Sequence, residues 1–217
     1  KEVENLLPTT DWAAKSALMS AFALYSANFY EESIFNLKRY IKQYPADRNI
    51  SYAEYLIGIC YFEQILDEKK DLRPLKLAKK QFEYVEEKYP NTDYAIDVKF
   101  KLDLIRNQLA AKEMYIARHY IKSQKWIPAI NRLKRVVEDY DKTIFVEEAL
   151  HRLVEIYYKI GLNNEAKKIA AVLGYNYLSS EWYEKSYIVL NKDYKPKSFK
   201  DEKKDSLIRR KIKSLFE

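Results

Sequence analysis

Apolar residues along this chain recur at helical rather than strand spacing, and the pattern repeats. "FNLKRYIKQYP" closes at Pro45, "KQFEYVEEKYP" at Pro90 and "NRLKRVVEDYD" at Asp141. Twelve positions before each of these ends stands a small residue: Ser33, Ala78 and Ala129. Four and seven positions after it come apolar ones: Leu37 and Tyr40, Phe82 and Val85, Leu133 and Val136. A weaker fourth copy holds Ala166, Ala170 and Leu173. Positions i, i+4 and i+7 share one helical face, and the small residue on it lets the preceding helix come close. Proline or a polar turn then stops the helix, because proline cannot continue it.

A second helix precedes each copy. "WAAKSALMSAFALYSANFY" leads into the first, with Thr10 or Asp11 as its N-cap. "SYAEYLIGICYFEQIL" leads into the second, and Ser51 with Glu54 has the spacing of a capping box. "NTDYAIDVKFKLDLIRNQLAAKEMYIARHYIKS" is long enough for two helices or one extended helix, and "FVEEALHRLVEIYYKIG" ends near Gly161. Pro128 falls in a first turn, where its missing N–H costs little. "SSEWYEKSYIVLN" reads as one more helix. No segment sustains period-two alternation, so the expected fold is all-α. The expected division is a linker over residues 1–10, a repeat array over 11–178, a capping helix over 179–190 and a basic tail over 191–217.

Composition changes this picture in three places. Tyrosine is abundant, at 20 of 217 residues. A tyrosine buries its ring and keeps a wet hydroxyl, which suits half-buried faces. AT-rich coding also raises Tyr, Lys, Ile and Asn together, so part of the excess is compositional. The net charge of +7 is unevenly placed. From Asn191 onward there are 10 basic and 5 acidic residues, which leaves the rest nearly neutral at 29 against 27. The body therefore lacks the basic footprint of a nucleic-acid binder. The tail "DEKKDSLIRRKIKSLFE" has Leu207, Ile208, Ile212, Leu215 and Phe216 on one broad helical face, with Arg209, Arg210, Lys211 and Lys213 beside it. It is a candidate for docking on a partner or on anionic headgroups, or for staying unfolded when alone.

Catalytic chemistry finds little support. Cys60, the single cysteine, reads as a buried thiol with no adjacent base. His119 and His151 stand far apart without metal-like partners and read as surface or packing residues. Three glycines cannot build a phosphate loop or a nucleophile elbow. No cofactor or metal is expected, and no apolar run approaches the ~20 residues of a membrane span.

The paired helices resemble the tetratricopeptide repeat. Its small and large positions fit Ala21, Leu24, Ser33, Leu37 and Pro45 in the first copy. They fit Gly58, Tyr61, Ala78, Phe82 and Pro90 in the second, and Ala117, Tyr120, Ala129 and Leu133 in the third. Ser33 replaces the usual alanine, and "DEKKDLRP" lengthens the second copy's loop by roughly eight residues. The resemblance implies an α-solenoid of about five antiparallel helix pairs, its concave wall lined by the first helix of each pair.

From about Thr10 to Tyr175 the chain is more closely similar to one branch of that superfamily, the BamD family of outer-membrane assembly lipoproteins. "YAEYLIGICYF", "LIRNQLAAKEMYIARHYIKSQKWIPAINRLKRVVEDY" and "EEALHRLVEIYYKIGLNNEAKK" carry the likeness. Asp141 stands where that family has proline, so a looser helix end is expected there. The resemblance implies a non-catalytic scaffold of the β-barrel assembly machinery at the periplasmic face of the outer membrane. It would bind the periplasmic domains of BamA, other lipoproteins of the machinery and unfolded outer-membrane proteins. A lipidated cysteine is expected upstream of Lys1. A cytosolic repeat adaptor or cochaperone is the alternative.

Two sites follow. Helical spacing puts Lys15, Leu18, Phe22 and Tyr25 on the inner face of the first helix, and Tyr52, Tyr55, Ile59 and Phe62 on that of the second pair. Phe22, Tyr25, Tyr52, Tyr55 and Phe62 are the candidate groove for an extended, aromatic-rich client segment. The plainer alternative is that they fill the core. Leu18 and Phe22 stand where a carboxylate clamp needs polar groups, which argues against that mode of peptide capture. Glu147, Glu148 and Arg152, about one turn apart, are the candidate docking charges for a partner domain. Ordinary helix-surface ion pairs are their alternative.

Overall fold

The computed structural model describes residues 10–64 and 72–191. Nine helices run through the described residues, and no strand occurs among them. They are α1 (Asp11–Ser26), α2 (Tyr30–Gln43), α3 (Ile50–Glu63), α4 (Arg73–Lys88), α5 (Asp93–Lys122), α6 (Trp126–Asp139), α7 (Val146–Lys159), α8 (Asn163–Asn176) and α9 (Glu181–Leu190). The segment that allowed two helices or one is a single helix, α5. The chain divides into two compact units, Lys1–Tyr115 and Ile116–Glu217, and the dividing point lies within α5. In the first unit α1 packs on α2, α2 on α3 and α3 on α4. In the second α6 packs on α7, α7 on α8, and α9 against both α7 and α8.

The repeat pattern supplies each hairpin's core. Ser33, Ala78, Ala129 and Ala166 are fully buried, and so are Tyr40, Val85, Val136 and Leu173 seven residues on. Leu37, Phe82 and Leu133 are buried between them, whereas Ala170 of the weaker fourth copy is only half-buried. The small positions are small because something touches them. A Cβ on Gly58 would stand 2.4 Å from the Phe82 ring, so only glycine admits that ring. Ser33, the departure from alanine, donates its hydroxyl to the Ala21 carbonyl at 2.8 Å and so stays satisfied in the core.

Both turn types repeat more faithfully than the sequence announces. The helices α2, α4, α6 and α8 all end on a tyrosine C-cap with nearly the same backbone: Tyr44, Tyr89, Tyr140 and Tyr177. Each tyrosine carbonyl then accepts the amide three residues later, from Asp47, Thr92, Thr143 and Ser180. The end at Tyr140 keeps the backbone and the turn bond of the others, although Asp141 replaces proline. The turn is held by this hydrogen bond and by the Thr143 hydroxyl, which donates to the Tyr140 carbonyl at 2.8 Å.

The other turn joins the two helices of a hairpin. Asn28, Gln124 and Gly161 all adopt positive φ, at 64°, 56° and 84°. Each is followed by an amide that reaches back to the helix: Phe29 to Leu24, Lys125 to Tyr120 and Leu162 to Tyr157. This is the Schellman pairing, which satisfies the last carbonyls of a helix. Only Gly161 is the residue type that advertises it.

Helix starts are simpler than expected. Thr10 occupies the N-cap of α1 without a side-chain cap bond. The capping box at Ser51 and Glu54 does not form, because α3 begins at Ile50 and Asn49 is its N-cap. The Asp47 carboxylate takes the Asn49 amide at 2.8 Å instead. Glu54 turns to Gln81, whose Nε2 donates to it at 2.7 Å. Pro128 lies in the first turn of α6, as its chemistry favours.

Candidate functional site

Three helices of the first unit build an aromatic face. α1 contributes Phe22, which is 38% exposed, and the half-buried Tyr25, whose rings lie 6.0 Å apart. From α3 come Tyr52, Tyr55 and Phe62, all half-buried. Leu18 and Ile59, placed on the same face by spacing alone, turn into the core at 7% and 6% exposure.

α5 contributes residues that spacing within the repeats did not single out. Tyr94 stacks on Tyr55 at 5.1 Å and meets Tyr52 at 5.6 Å. Asp97 accepts the Tyr55 hydroxyl at 2.6 Å. Lys101 stands 3.6 Å from Asp97 and 5.2 Å over the Phe62 ring. Phe82 of α4 underpins both Tyr55 and Phe62, with ring centroids at 6.4 and 6.1 Å. The face is thus aromatic with one ion pair at its rim, not purely aromatic. The signal in the sequence was "YPNTDYAIDVKFK", where Tyr94, Asp97 and Lys101 fall on one side of a helix.

Burial raises the pKa of Tyr25, Tyr52 and Tyr55 on this face. Tyr55 is moved furthest, with the hydrogen bond to Asp97 as the second cause. Tyr52 is raised by burial and then by Tyr94, and Tyr25 by burial and then by Glu63. The phenols therefore remain neutral donors beyond the ordinary tyrosine range. Rings with a wet hydroxyl offer a ligand large contact area with little rotamer entropy to lose. Cys60 lies beneath, fully buried, its thiol 3.6 Å from the Ser33 hydroxyl and pushed up to about 11 by burial. It is a packing residue.

The second unit gathers charges rather than rings, and Glu147, Glu148 and Arg152 all take part. Glu148, 9% exposed, accepts Arg118 Nε at 3.1 Å and faces Arg152 at 3.5 Å. Arg152 also donates to Glu155 at 2.7 Å. Glu147 accepts the Ser180 hydroxyl and lines an open pocket of about 630 Å³ with Asn176, Tyr177, Leu178 and Ser179. All three predicted docking residues thus hold partners within their own unit. His151 is 3% exposed, a packing residue, whereas His119 is exposed. The Ser186 hydroxyl donates to the Trp182 carbonyl at 2.8 Å, so it accepts from His151 Nδ1 at 2.9 Å. His151 Nε2 faces Glu155 at 3.4 Å. Burial raises the pKa of Glu155, but His151 and Arg152 outweigh it and hold the carboxyl at about 2. Trp182 closes the group, with Lys185 at 4.3 Å from its ring.

The predicted tail residues Arg209, Arg210, Lys211 and Lys213 lie outside the described residues. No described helix is long and apolar enough to cross a membrane.

Comparison with known proteins places this architecture. The sequence model of the family YfiO, described as outer membrane lipoprotein, matches residues 1–173. An outer membrane protein assembly factor BamD of Caulobacter vibrioides is 44% identical over 191 residues, which are 88% of this chain and 63% of the relative. The protein of the same name in Rickettsia prowazekii is 43% identical over 83% of this chain and 72% of its own length. That of Neisseria meningitidis is 28% identical over 82% of the chain and 70% of the relative. The chain thus spans under two thirds of the Caulobacter relative's length and somewhat more of the other two.

Proposed function

The chain belongs to the YfiO outer membrane lipoprotein family, and from that premise we propose that it is a non-catalytic scaffold in the assembly of outer-membrane proteins. Its relatives carry the name of that task. The working surface is the aromatic face of the first unit, and the carrying observation is its make-up. Phe22, Tyr25, Tyr52, Tyr55 and Phe62 stay partly open to solvent, while Phe82 below them is fully buried. A folded chain that needed these rings only for its core would bury them. An unfolded outer-membrane protein offers extended segments with alternate aromatic side chains, and such a face gives them anchors at low entropic cost.

The second unit serves as the rigid partner-facing half. Glu147, Glu148 and Arg152 present a cross-linked charge cluster on α7 whose edges set register for a periplasmic domain of BamA. Other lipoproteins of the machinery bind the same scaffold, and an N-terminal lipid holds it at the periplasmic face of the outer membrane.

Photocrosslinking from Tyr55 to a peptide with the C-terminal sequence of a barrel protein tests the groove. A crosslink that Tyr52→Ala weakens is the expected result. No crosslink, under conditions where the full chain retains unfolded barrel protein, refutes it. For the second unit, Arg152→Glu is expected to abolish co-purification with BamA. Unchanged co-purification, with a thermal melt showing the fold intact, removes α7 from the interface.

A further inference from the structure

The long helix α5 carries an apolar stripe on the side away from its core. Ala95, Val98, Leu102, Ile105 and Leu109 are buried, yet Ile96, Phe100 and Leu104 are 58%, 67% and 55% exposed. A four-residue spacing keeps these three on one side, opposite the buried row. Together they expose on the order of 300–400 Å² of apolar surface, the scale of a functional patch rather than of scattered residues.

The sequence around Phe100 is a palindrome in chemical character. "IDVKFKLDL", residues 96–104, reads apolar, Asp, apolar, Lys, Phe, Lys, apolar, Asp, apolar from either end. Such symmetry has a specific geometric use. When two copies of a helix pair antiparallel about a twofold axis, each residue beyond the axis meets the level of its counterpart before it. Flanks are preserved by that rotation. Lys99 and Asp103 share one flank of the stripe, and Asp97 and Lys101 share the other. With the axis at Phe100, Lys99 of one copy lies beside Asp103 of the second, and Asp97 lies beside Lys101. Both pairings occur twice. Ile96 meets the level of Leu104, and the two Phe100 rings meet at the centre.

We propose that this face of α5 is a self-association surface, on which a second copy of the chain docks antiparallel about Phe100. The charge pattern selects a second copy over an unrelated helix, because each flank carries both signs in the order its own inverse requires. The contact is weak. A stable dimer buries about 800 Å² per partner, roughly twice what the stripe offers. Asp97 and Asp103 also hold internal partners, Tyr55 at 2.6 Å and Arg106 at 2.7 Å, which reduces what they give to a second copy. The inference goes beyond client binding: Asp97 and Lys101 on one flank also form the rim of the aromatic face, whereas Ile96, Phe100, Leu104 and the Lys99–Asp103 flank, on which the test rests, take no part in that face.

Sedimentation velocity of the full chain up to sub-millimolar concentration tests it. Reversible dimerisation is expected, and Phe100→Glu is expected to abolish it without altering the melt. Lys99→Glu or Asp103→Lys alone should weaken the dimer several-fold, and the two together should restore it. Orientation is read by oxidative crosslinking in a background where Cys60 is buried and silent. Phe100→Cys should crosslink to itself, and Ile96→Cys should crosslink to Leu104→Cys in a mixture. A chain that stays monomeric at these concentrations, or dimers that Phe100→Glu leaves unchanged, would overturn the proposal. So would Ile96→Cys crosslinking to itself better than to Leu104→Cys.

Discussion

The two units use the same helical hairpin and finish it in opposite ways. In the first, α1, α3 and α5 carry tyrosine and phenylalanine outward until the rings are half in water. In the second, α7 ties Glu148, Arg152, Glu155 and His151 into bonds with its neighbours, and α9 covers them with Trp182 and Ser186. A repeat specifies the buried row and leaves the opposite face free. The lesson is that one unit leaves that face adaptable while the other closes it by pairing.

The strongest test strikes the support of the aromatic face. Phe82 is fully buried beneath Tyr55 and Phe62, and Phe82→Ala should cost about 3–5 kcal/mol by chemical denaturation. It should loosen the first unit while leaving the environments of Trp126 and Trp182 native at low denaturant. If both units melt together, their independence is lost.

Next comes the ion network. Glu148→Ala removes the carboxylate that Arg118 and Arg152 share, and should cost about 1.5–3 kcal/mol. Loss of tryptophan burial in the second unit should precede any change at the tyrosines.

Proton titration separates the two further. Glu155 has its folded pKa held near 2, below the ordinary 4.5. A depressed carboxyl contributes stability in full above its unfolded pKa and loses it as pH falls toward the folded one. Acid between about 4.5 and 2 should therefore weaken the second unit first, and Glu155→Gln should flatten that dependence. Tyr25, Tyr52 and Tyr55 of the first unit have raised pKa values. Their contribution is complete below the ordinary phenol value of 10.0 and fades as pH rises beyond it. Alkali should loosen the first unit first. Tryptophan fluorescence in a Trp12→Phe chain reports the second unit, and phenolate absorbance the tyrosines.

The smallest effects lie in the turns the units share. Gly161→Ala meets nothing within 4 Å but forces an L side chain to positive φ, at a cost of about 1 kcal/mol. Asn28→Gly at the matching turn of the first unit should stabilise by a few tenths of a kcal/mol. Opposite signs at equivalent positions, read from paired thermal melts, would confirm that one turn geometry serves both units.

Much of this was legible in the residues. The small residue and its apolar followers located four hairpins, because a 3.6-residue period leaves few alternatives for a row that must be buried. The Tyr55 face was legible in part, since spacing reveals which residues share a side of their own helix. Tyr94, Asp97 and Lys101 were not, because they reach the site from a helix about forty residues away. Spacing put Glu147, Glu148 and Arg152 on one helix, α7, but their internal partners Arg118, Ser180 and Trp182 come from other helices. Asn28 and Gln124 hid their turns, since neither is the glycine that normally signals positive φ.

The sequence by itself determined that the described residues are helical, roughly where the hairpins lie, and which row the second helix of each hairpin buries. Those properties depend on contacts within a few turns, and local periodicity encodes them. The tertiary structure alone decided which exposed faces meet and which charges are already paired. It also decided that Ile96, Phe100 and Leu104 are left to solvent, since burial is a property of neighbours distant in the chain rather than of the residue.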